Sequence, residues 1–289
     1  MKTLSDMATI KSLLSRHGLH LSKSLGQNFL INPEVCPRMA EESGIHSGSG
    51  VLEIGPGLGV LTCELAACAE KVVSVELDRR LFPVLAETLK DFDNIKLIQG
   101  DVLKIDLNAL LAEEFPEKSV SVCANLPYYI TTPVIMRFLE ERLPIDTITV
   151  MVQKEAAQRL CAPPGTRAAG AISLAVSFYA EAQILFEVGR DSFLPSPRVD
   201  SAVIQLKVRM EPPVSVQSEP RFFRLIAAAF GQRRKTVCNA VSAGLTLPKD
   251  TVAAALEAAG LDPQVRAERL TLAQFAALDD ALWKTYDND

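Results

Sequence analysis

Between Gly50 and Val152 the sequence alternates short Val/Ile-rich runs with longer stretches of helical spacing, and few folds accommodate that alternation. The runs are Val51–Ile54, Lys71–Val75, Ile95–Ile98, Val120–Ala124 and Thr147–Val152. Each is short and apolar enough to be a strand buried on both faces. Val60–Ala69, Arg79–Lys90 and Pro133–Arg142 lie between them with the length and spacing of helices. Buried strands joined by helices imply a parallel sheet with crossover connections, an α/β architecture. Ile172–Tyr179 reads as a further helix, and Ile184–Val188 with Ser201–Val208 as antiparallel strands that close the sheet.

The pattern changes near residue 210. Glu211-Pro212-Pro213 and Glu219-Pro220 bracket a Ser/Val linker, after which strand-like runs stop. Arg221–Phe230, Arg234–Ala243, Asp250–Ala259 and Leu272–Trp283 read as helices, with Gly260 as a C′ glycine and Thr271/Gln274 as a capping box. Upstream of the sheet, Ile10, Leu13, Leu14 and His17 have helical spacing and lead into Ser24-Leu25-Gly26-Gln27-Asn28-Phe29-Leu30, an ordered, locally basic arm. Three segments are therefore expected: an arm over 1–48, a sheet domain over 49–210 and a helical domain over 211–289.

Composition excludes several classes. Of 289 residues 48% are hydrophobic and 22% charged, which is neither disordered nor fibrous. The longest apolar stretch, Ala171–Ala180, is too short to span a bilayer, and the start has no signal-peptide core, so no membrane association is expected. The six cysteines show no Cys-x-x-Cys spacing and sit among apolar residues, as packing thiols of a reducing, cytoplasmic compartment; no metal site is expected. The three histidines, His17, His20 and His46, all precede the first glycine-rich motif, so chemistry at the later motifs is expected to proceed without an imidazole base. A net charge of −5 counts against a nucleic-acid partner unless basic residues cluster locally.

Glu53-Ile54-Gly55-Pro56-Gly57-Leu58-Gly59 falls between a strand and a helix, where glycines allow a tight turn and close approach of a ligand to the helix N-terminus. The dinucleotide fingerprint needs a glycine where Val60 stands, so a nicotinamide oxidoreductase is disfavoured. An acidic residue followed by G-x-G-x-G is the pattern of S-adenosyl-L-methionine binders. Glu76 ends the second strand, where a carboxylate can accept from both hydroxyls of a ribose. Asp101 ends the third, where it can accept from an adenine amino group.

The fourth strand ends in Asn125-Leu126-Pro127-Tyr128-Tyr129, which resembles the tetrapeptide of adenine-N6 methyltransferases. An exocyclic amine is a poor nucleophile because its lone pair is delocalised into the ring. Acceptors at the Asn125 side chain and a backbone carbonyl can hold both N–H groups and favour a pyramidal nitrogen, while Tyr128 stacks on the displaced base. Over nearly its whole length the chain also resembles the ribosomal RNA adenine dimethyltransferases. The match runs through Lys23–Leu30, the glycine loop, Gly100-Asp101, Asn125–Pro133, Gln153-Lys154-Glu155, Phe193–Ser201 and Phe230–Thr236. The bacterial small-subunit (kasugamycin-resistance) branch is the nearest, and it dimethylates two adjacent adenosines near the 3′ end of small-subunit rRNA.

That resemblance implies a Rossmann-like S-adenosylmethionine-dependent methyltransferase sheet with a smaller all-helical C-terminal domain. It implies that Asn28, Leu30, Gly55, Gly57, Glu76, Asp101 and Asn125 hold the cofactor, and that Asn125, Leu126, Tyr128 and Phe193 form the catalytic pocket, Phe193 as the wall opposite Tyr128. It also implies a monomer acting on small-subunit rRNA within a small ribosomal subunit or its precursor. Arg233, Arg234 and Lys235 are adjacent cations, expected at a helix start after Gly231, where they oppose the dipole unless phosphate arrives. With Arg221 and Arg224 they form an RNA-binding run free of Asp and Glu up to Ala240. Two departures stand out: Cys238, where the family often carries Arg, and Ala168-Ala169, where an aromatic is common. Two other roles remain open, an assembly factor with lost catalysis and the drug-resistance branch that acts on large-subunit rRNA.

Overall fold

The structure, a computed structural model, describes residues 4–19 and 28–286. His20 and the Lys23–Gln27 part of the arm motif lie outside the described residues. In chain order the first elements are α1 (Met7–Arg16), β1 (Phe29–Leu30), α2 (Val35–Glu42), β2 (Gly50–Ile54), α3 (Val60–Cys68), β3 (Lys71–Glu76), α4 (Phe82–Thr88) and β4 (Ile95–Gln99). Then come α5 (Leu107–Glu114), β5 (Val120–Asn125), α6 (Thr131–Glu140), β6 (Thr147–Gln153), α7 (Lys154–Leu160), α8 (Ala171–Tyr179), β7 (Ala180–Val188), β8 (Phe193–Leu194) and β9 (Ser201–Val208). The last four are α9 (Glu219–Phe230), α10 (Val237–Leu245), α11 (Lys249–Ala258) and α12 (Leu272–Tyr286).

The chain forms two compact units, Met1–Ala157 with Ala182–Val208, and Gln158–Glu181 with Arg209–Asp289. Composition points to one division near 210, whereas the chain crosses between the units three times, and α8 belongs to the second unit. The first unit carries a seven-stranded sheet in the order β4-β3-β2-β5-β6-β9-β7. β2, β3, β4, β5 and β6 pair in parallel and β9 runs antiparallel to β6. Every residue of β2 is buried, as two-faced burial of a Val/Ile/Leu run requires. Strand order reverses between β2 and β5, so a crevice opens beyond their carboxyl ends. α5 and α2, eight residues each, and α7 had no counterpart in the hydrophobic pattern.

The arm is part of the first unit. α1 is capped by Asp6, whose carboxylate accepts from the Thr9 N–H at 2.9 Å, and it buries Ile10 and Leu13 against Phe29, Leu58, Leu81 and Leu85. Burying two such side chains contributes roughly 3–6 kcal/mol. At the helix end, Arg16 and His17 both reach Glu87 of α4, at 2.7 and 2.8 Å. β1 then pairs antiparallel with β8, Phe29 opposite Leu194 and Leu30 opposite Phe193.

The second unit is helical apart from the start of β7. Gly260 takes φ +70° directly after α11, and Thr271 and Gln274 form the reciprocal cap of α12, with contacts of 2.9 and 3.3 Å. Arg221 is not a surface cation. Its Nη2 donates to the fully buried Asp279 at 3.1 Å, and Trp283 donates to the same carboxylate at 3.0 Å. That removes Arg221 from the expected RNA-binding run, because a buried carboxylate needs its charge partner.

Candidate active site

The loop after β2 closes over a cavity of about 250 Å³ in the first unit. Gly55, Gly57 and Gly59 adopt φ of +69°, +60° and +86°, a region that side-chain-bearing residues rarely enter. At Gly55 an added Cβ would meet no protein atom within 4 Å, so the backbone there faces open space that a ligand can fill. Gly59 has the opposite constraint, since a Cβ would come within 2.9 Å of Leu89. The first turn of α3, Val60 and Leu61, lines the cavity beside the glycine loop.

Two carboxylates stand on neighbouring strand ends. Glu76 closes β3 and is buried; its Oε1 accepts from the Asp78 N–H at 2.7 Å. Burial pushes its pKa up, and backbone donors at Asp78 and Gly57 oppose that rise. Asp101 follows β4. Its Oδ1 accepts from the Leu103 N–H at 3.0 Å, and Lys104 Nζ lies 3.5 Å from Oδ2. Leu77, Val102 and Leu103, the apolar neighbours of the two carboxylates in sequence, line the same cavity.

β5 delivers the polar turn from the other side of the strand-order reversal. Asn125 is its last residue, opposite Met151 of β6. The Pro127 carbonyl accepts from the Ile130 N–H at 3.1 Å, closing a tight turn that runs straight into α6. Tyr128 is held by a 2.7 Å hydrogen bond between its hydroxyl and that of Ser201, and burial raises its phenol pKa. Phe193 is buried on β8 beside Leu30 of β1. Thus Asn28, Leu30, Gly55, Gly57, Glu76, Asp101, Asn125, Leu126, Tyr128 and Phe193, from six separate stretches of the chain, line one cavity. Arg233, Arg234 and Lys235 lie elsewhere, in the second unit. They occupy an exposed turn rather than a helix start, because Gly231 is the C-cap of α9 and α10 begins only after Thr236.

Several lining residues are not among the expected site residues: Phe29, Leu58 and Ile130, which fall inside the matched motifs, and Leu77 and Leu103, which show only hydrophobicity. Glu53 was visible only as the acid before the glycine loop. It is fully buried, accepts from the Ser74 hydroxyl at 2.6 Å, and burial raises its pKa to about 7. Tyr129 is 57% exposed at the cavity wall. Among the described residues no histidine lines the cavity and no group of side chains forms a metal site. No described helix is long and apolar enough to cross a membrane.

The ribosomal RNA adenine dimethylase family model matches residues 18–284. The ribosomal RNA small subunit methyltransferase A of Geobacillus thermodenitrificans is 48% identical over 285 residues, covering 97% of each chain. That of Alkaliphilus metalliredigens is 47% identical, covering 96% of this chain and 97% of its own. Among solved structures, the 23S rRNA methyltransferase ErmE superposes with a TM-score of 0.68 at 28% identity, over 88% of this chain and 99% of its own. A dimethyladenosine transferase from Plasmodium falciparum shares the fold, with a TM-score of 0.73 over 86% of this chain and 95% of its own at 24% identity. With the family model spanning nearly the whole sequence and relatives this similar at full length, the chain belongs to the ribosomal RNA adenine dimethylase family, the S-adenosylmethionine-dependent rRNA adenine dimethyltransferases.

Proposed function

We propose that this enzyme converts two adjacent adenosines near the 3′ end of small-subunit rRNA to N6,N6-dimethyladenosine, within a small ribosomal subunit or its precursor. The observation that carries the reading is the placement of Asn125 on one cavity with the glycine loop and with the two aromatic residues Tyr128 and Phe193. S-adenosylmethionine, when bound, supplies a methyl group on a sulfonium to the nitrogen lone pair, one proton leaving the nitrogen for each methyl gained. Asn28, Leu30, Gly55 and Gly57 enclose its methionine end, Glu76 accepts from the ribose hydroxyls and Asp101 from the adenine amino group. The N-terminus of α3 favours the cofactor carboxylate.

Asn125 accepts from the target amine with its side-chain oxygen, and a backbone carbonyl of the turn, assigned to Leu126, accepts from the second N–H. Both contacts pull the nitrogen toward a pyramidal geometry and strengthen as charge develops, which is where binding accelerates a reaction. Tyr128 and Phe193 stack on the extruded base. The absence of a histidine in the described cavity fits a transfer that needs no strong base, since the proton leaves a nitrogen already made cationic.

The exposed Arg233, Arg234 and Lys235 bind rRNA phosphates. The enzyme is read as a cytoplasmic monomer with a part in small-subunit biogenesis, in keeping with six free cysteines. Incubation with labelled S-adenosylmethionine and, in parallel, undermethylated small subunits and unmodified large subunits, followed by mass spectrometry of nuclease fragments, tests the whole. Label is expected on two neighbouring adenosines as the dimethyl form. Label confined to large-subunit rRNA would establish the drug-resistance activity instead, and cofactor binding without transfer would establish an assembly factor.

A further inference from the structure

Arg137 lies seven residues beyond the turn that carries Asn125–Ile130, about two turns along α6. Its side chain is 19% exposed and its guanidinium reaches into the loop after β4. Nη1 donates to the Val102 carbonyl at 2.6 Å and Nη2 to the Ile105 carbonyl at 2.8 Å. Nε donates to Glu141 Oε1 at 2.6 Å, which fixes the plane of the group. Each of the three guanidinium nitrogens thus donates one hydrogen bond.

The two carbonyls bracket the turn that begins with Asp101. Lys104 and Ile105 donate their N–H groups to the Asp101 carbonyl at 2.8 and 3.1 Å, and Leu103 donates to its carboxylate. The turn is therefore closed on itself from the inside and clamped from the outside by one residue. A planar guanidinium satisfies two carbonyls at a fixed separation and direction; an ammonium on a flexible stem cannot reproduce that geometry. An exposed helix–loop contact needs no such fork, and Arg137 is spent on backbone groups 32 and 35 residues away.

We propose that Arg137 is a positioning residue for the cofactor's adenine: by holding the 102–105 turn it sets the Asp101 carboxylate and the Val102–Leu103 wall, and so the preference for adenine over other bases. The inference rests on the reading that Asp101 accepts from the adenine amino group, and the test separates the two.

The full-length chain and its R137M, R137K and D101A variants are titrated with S-adenosylhomocysteine and with S-inosylhomocysteine, whose base bears a carbonyl oxygen in place of the amino group. KM and kcat for S-adenosylmethionine are measured alongside. R137M is expected to lose about tenfold of the adenine-over-hypoxanthine preference and to raise KM about tenfold, with kcat at saturating cofactor within about twofold. R137K, able to reach one carbonyl, is expected to fall between, and it carries the test alone if R137M does not fold. An unchanged preference in R137K and R137M, or a loss of kcat at unchanged preference, overturns the role of Arg137. If D101A keeps the full preference, it is the assignment of Asp101 that fails, whatever the Arg137 variants do.

Discussion

The Tyr128 hydroxyl lies 2.7 Å from the Ser201 hydroxyl, joining the turn after β5 to the first residue of β9 across 73 positions of sequence. Ser201 is fully buried and sits opposite Gln153 in the β6–β9 ladder, so strand pairing fixes where its hydroxyl points. The neighbouring Asp200 accepts from the Arg190 N–H at 3.0 Å, just before the segment that carries Phe193. One dipeptide at the start of β9 thus steadies both aromatic side chains, Tyr128 and Phe193, proposed as the walls of the base pocket.

S201A and Y128F each remove this hydrogen bond and leave the ring in place. Each is expected to lower single-turnover methyl transfer to undermethylated subunits about fivefold, the effect of one hydrogen bond of ~1 kcal/mol. The double variant should be no worse than either single one, since the same contact is lost. Y128A removes the stacking surface as well and should cost ~1–3 kcal/mol. Additive losses in the double variant would show that the two hydroxyls act separately.

Glu76 and Asn125 are expected to separate cofactor binding from chemistry. Glu76→Ala removes a carboxylate accepting charge-assisted hydrogen bonds, so S-adenosylmethionine should bind at least about tenfold more weakly by calorimetry. Asn125→Ala should leave that affinity largely intact and reduce kcat on the order of 10²-fold, as loss of a group that acts on the transition state does. Equal turnover by the Asn125 variant would remove it from the amine site.

Glu53 makes stability pH-dependent in an unusual direction for a carboxylate. Burial raises its folded pKa to about 7 from an ordinary 4.5, so between those values the folded chain binds the extra proton. Stability contributed by the group is present below the unfolded pKa and is lost as pH rises through the folded one, on the order of 3 kcal/mol. Glu53→Gln keeps an acceptor for Ser74 and has no proton to lose. Urea unfolding at pH 5, 6, 7 and 8 should therefore show a flatter pH profile for the variant and higher stability at pH 8. Parallel profiles would mean that Glu53 titrates alike in both states.

The strands and the glycine loop were legible because two-faced burial writes itself as β-branched runs with glycine between them. α5 was not, since Leu107 and Leu111 give its eight residues only one buried turn pair within an acidic stretch. α7 follows β6 with no intervening turn residue to mark the change. At the site, Glu76, Asp101 and Asn125 were readable as strand-end residues, whereas Ser201 and Arg137 act through partners 73 and 32–35 positions away. The i,i+4 spacing of Arg137 and Glu141 is visible in sequence, yet it reads as a surface pair until the loop carbonyls are in place. Arg221 shows the reverse, a cation legible as surface and found on buried Asp279.

The acidic net charge makes the location of rRNA binding a question of local charge. With Arg221 committed to Asp279, the exposed cations of this stretch are Arg224 on α9 and Arg233, Arg234 and Lys235 in the turn before α10. The three adjacent ones lie in the exposed turn between the C-cap of α9 at Gly231 and the N-cap of α10 at Thr236, with no acidic residue among them to neutralise their charge. Clustered cations of this kind attract phosphate whatever the net charge of the whole chain. Cys238 does not extend the cluster, being buried with its thiol directed at the Lys249 carbonyl. Arg233→Ala with Arg234→Ala is therefore expected to weaken binding to undermethylated small subunits and to flatten its salt dependence. Two lost phosphate contacts should reduce the slope of log K against log salt by up to ~1.8 on the duplex scale and ~1.4 on the single-strand scale. S-adenosylmethionine affinity should not change, because neither arginine lines the cofactor cavity. An unaltered affinity and slope would move the RNA surface to the first unit, where Lys11, exposed on α1, becomes the next residue to substitute.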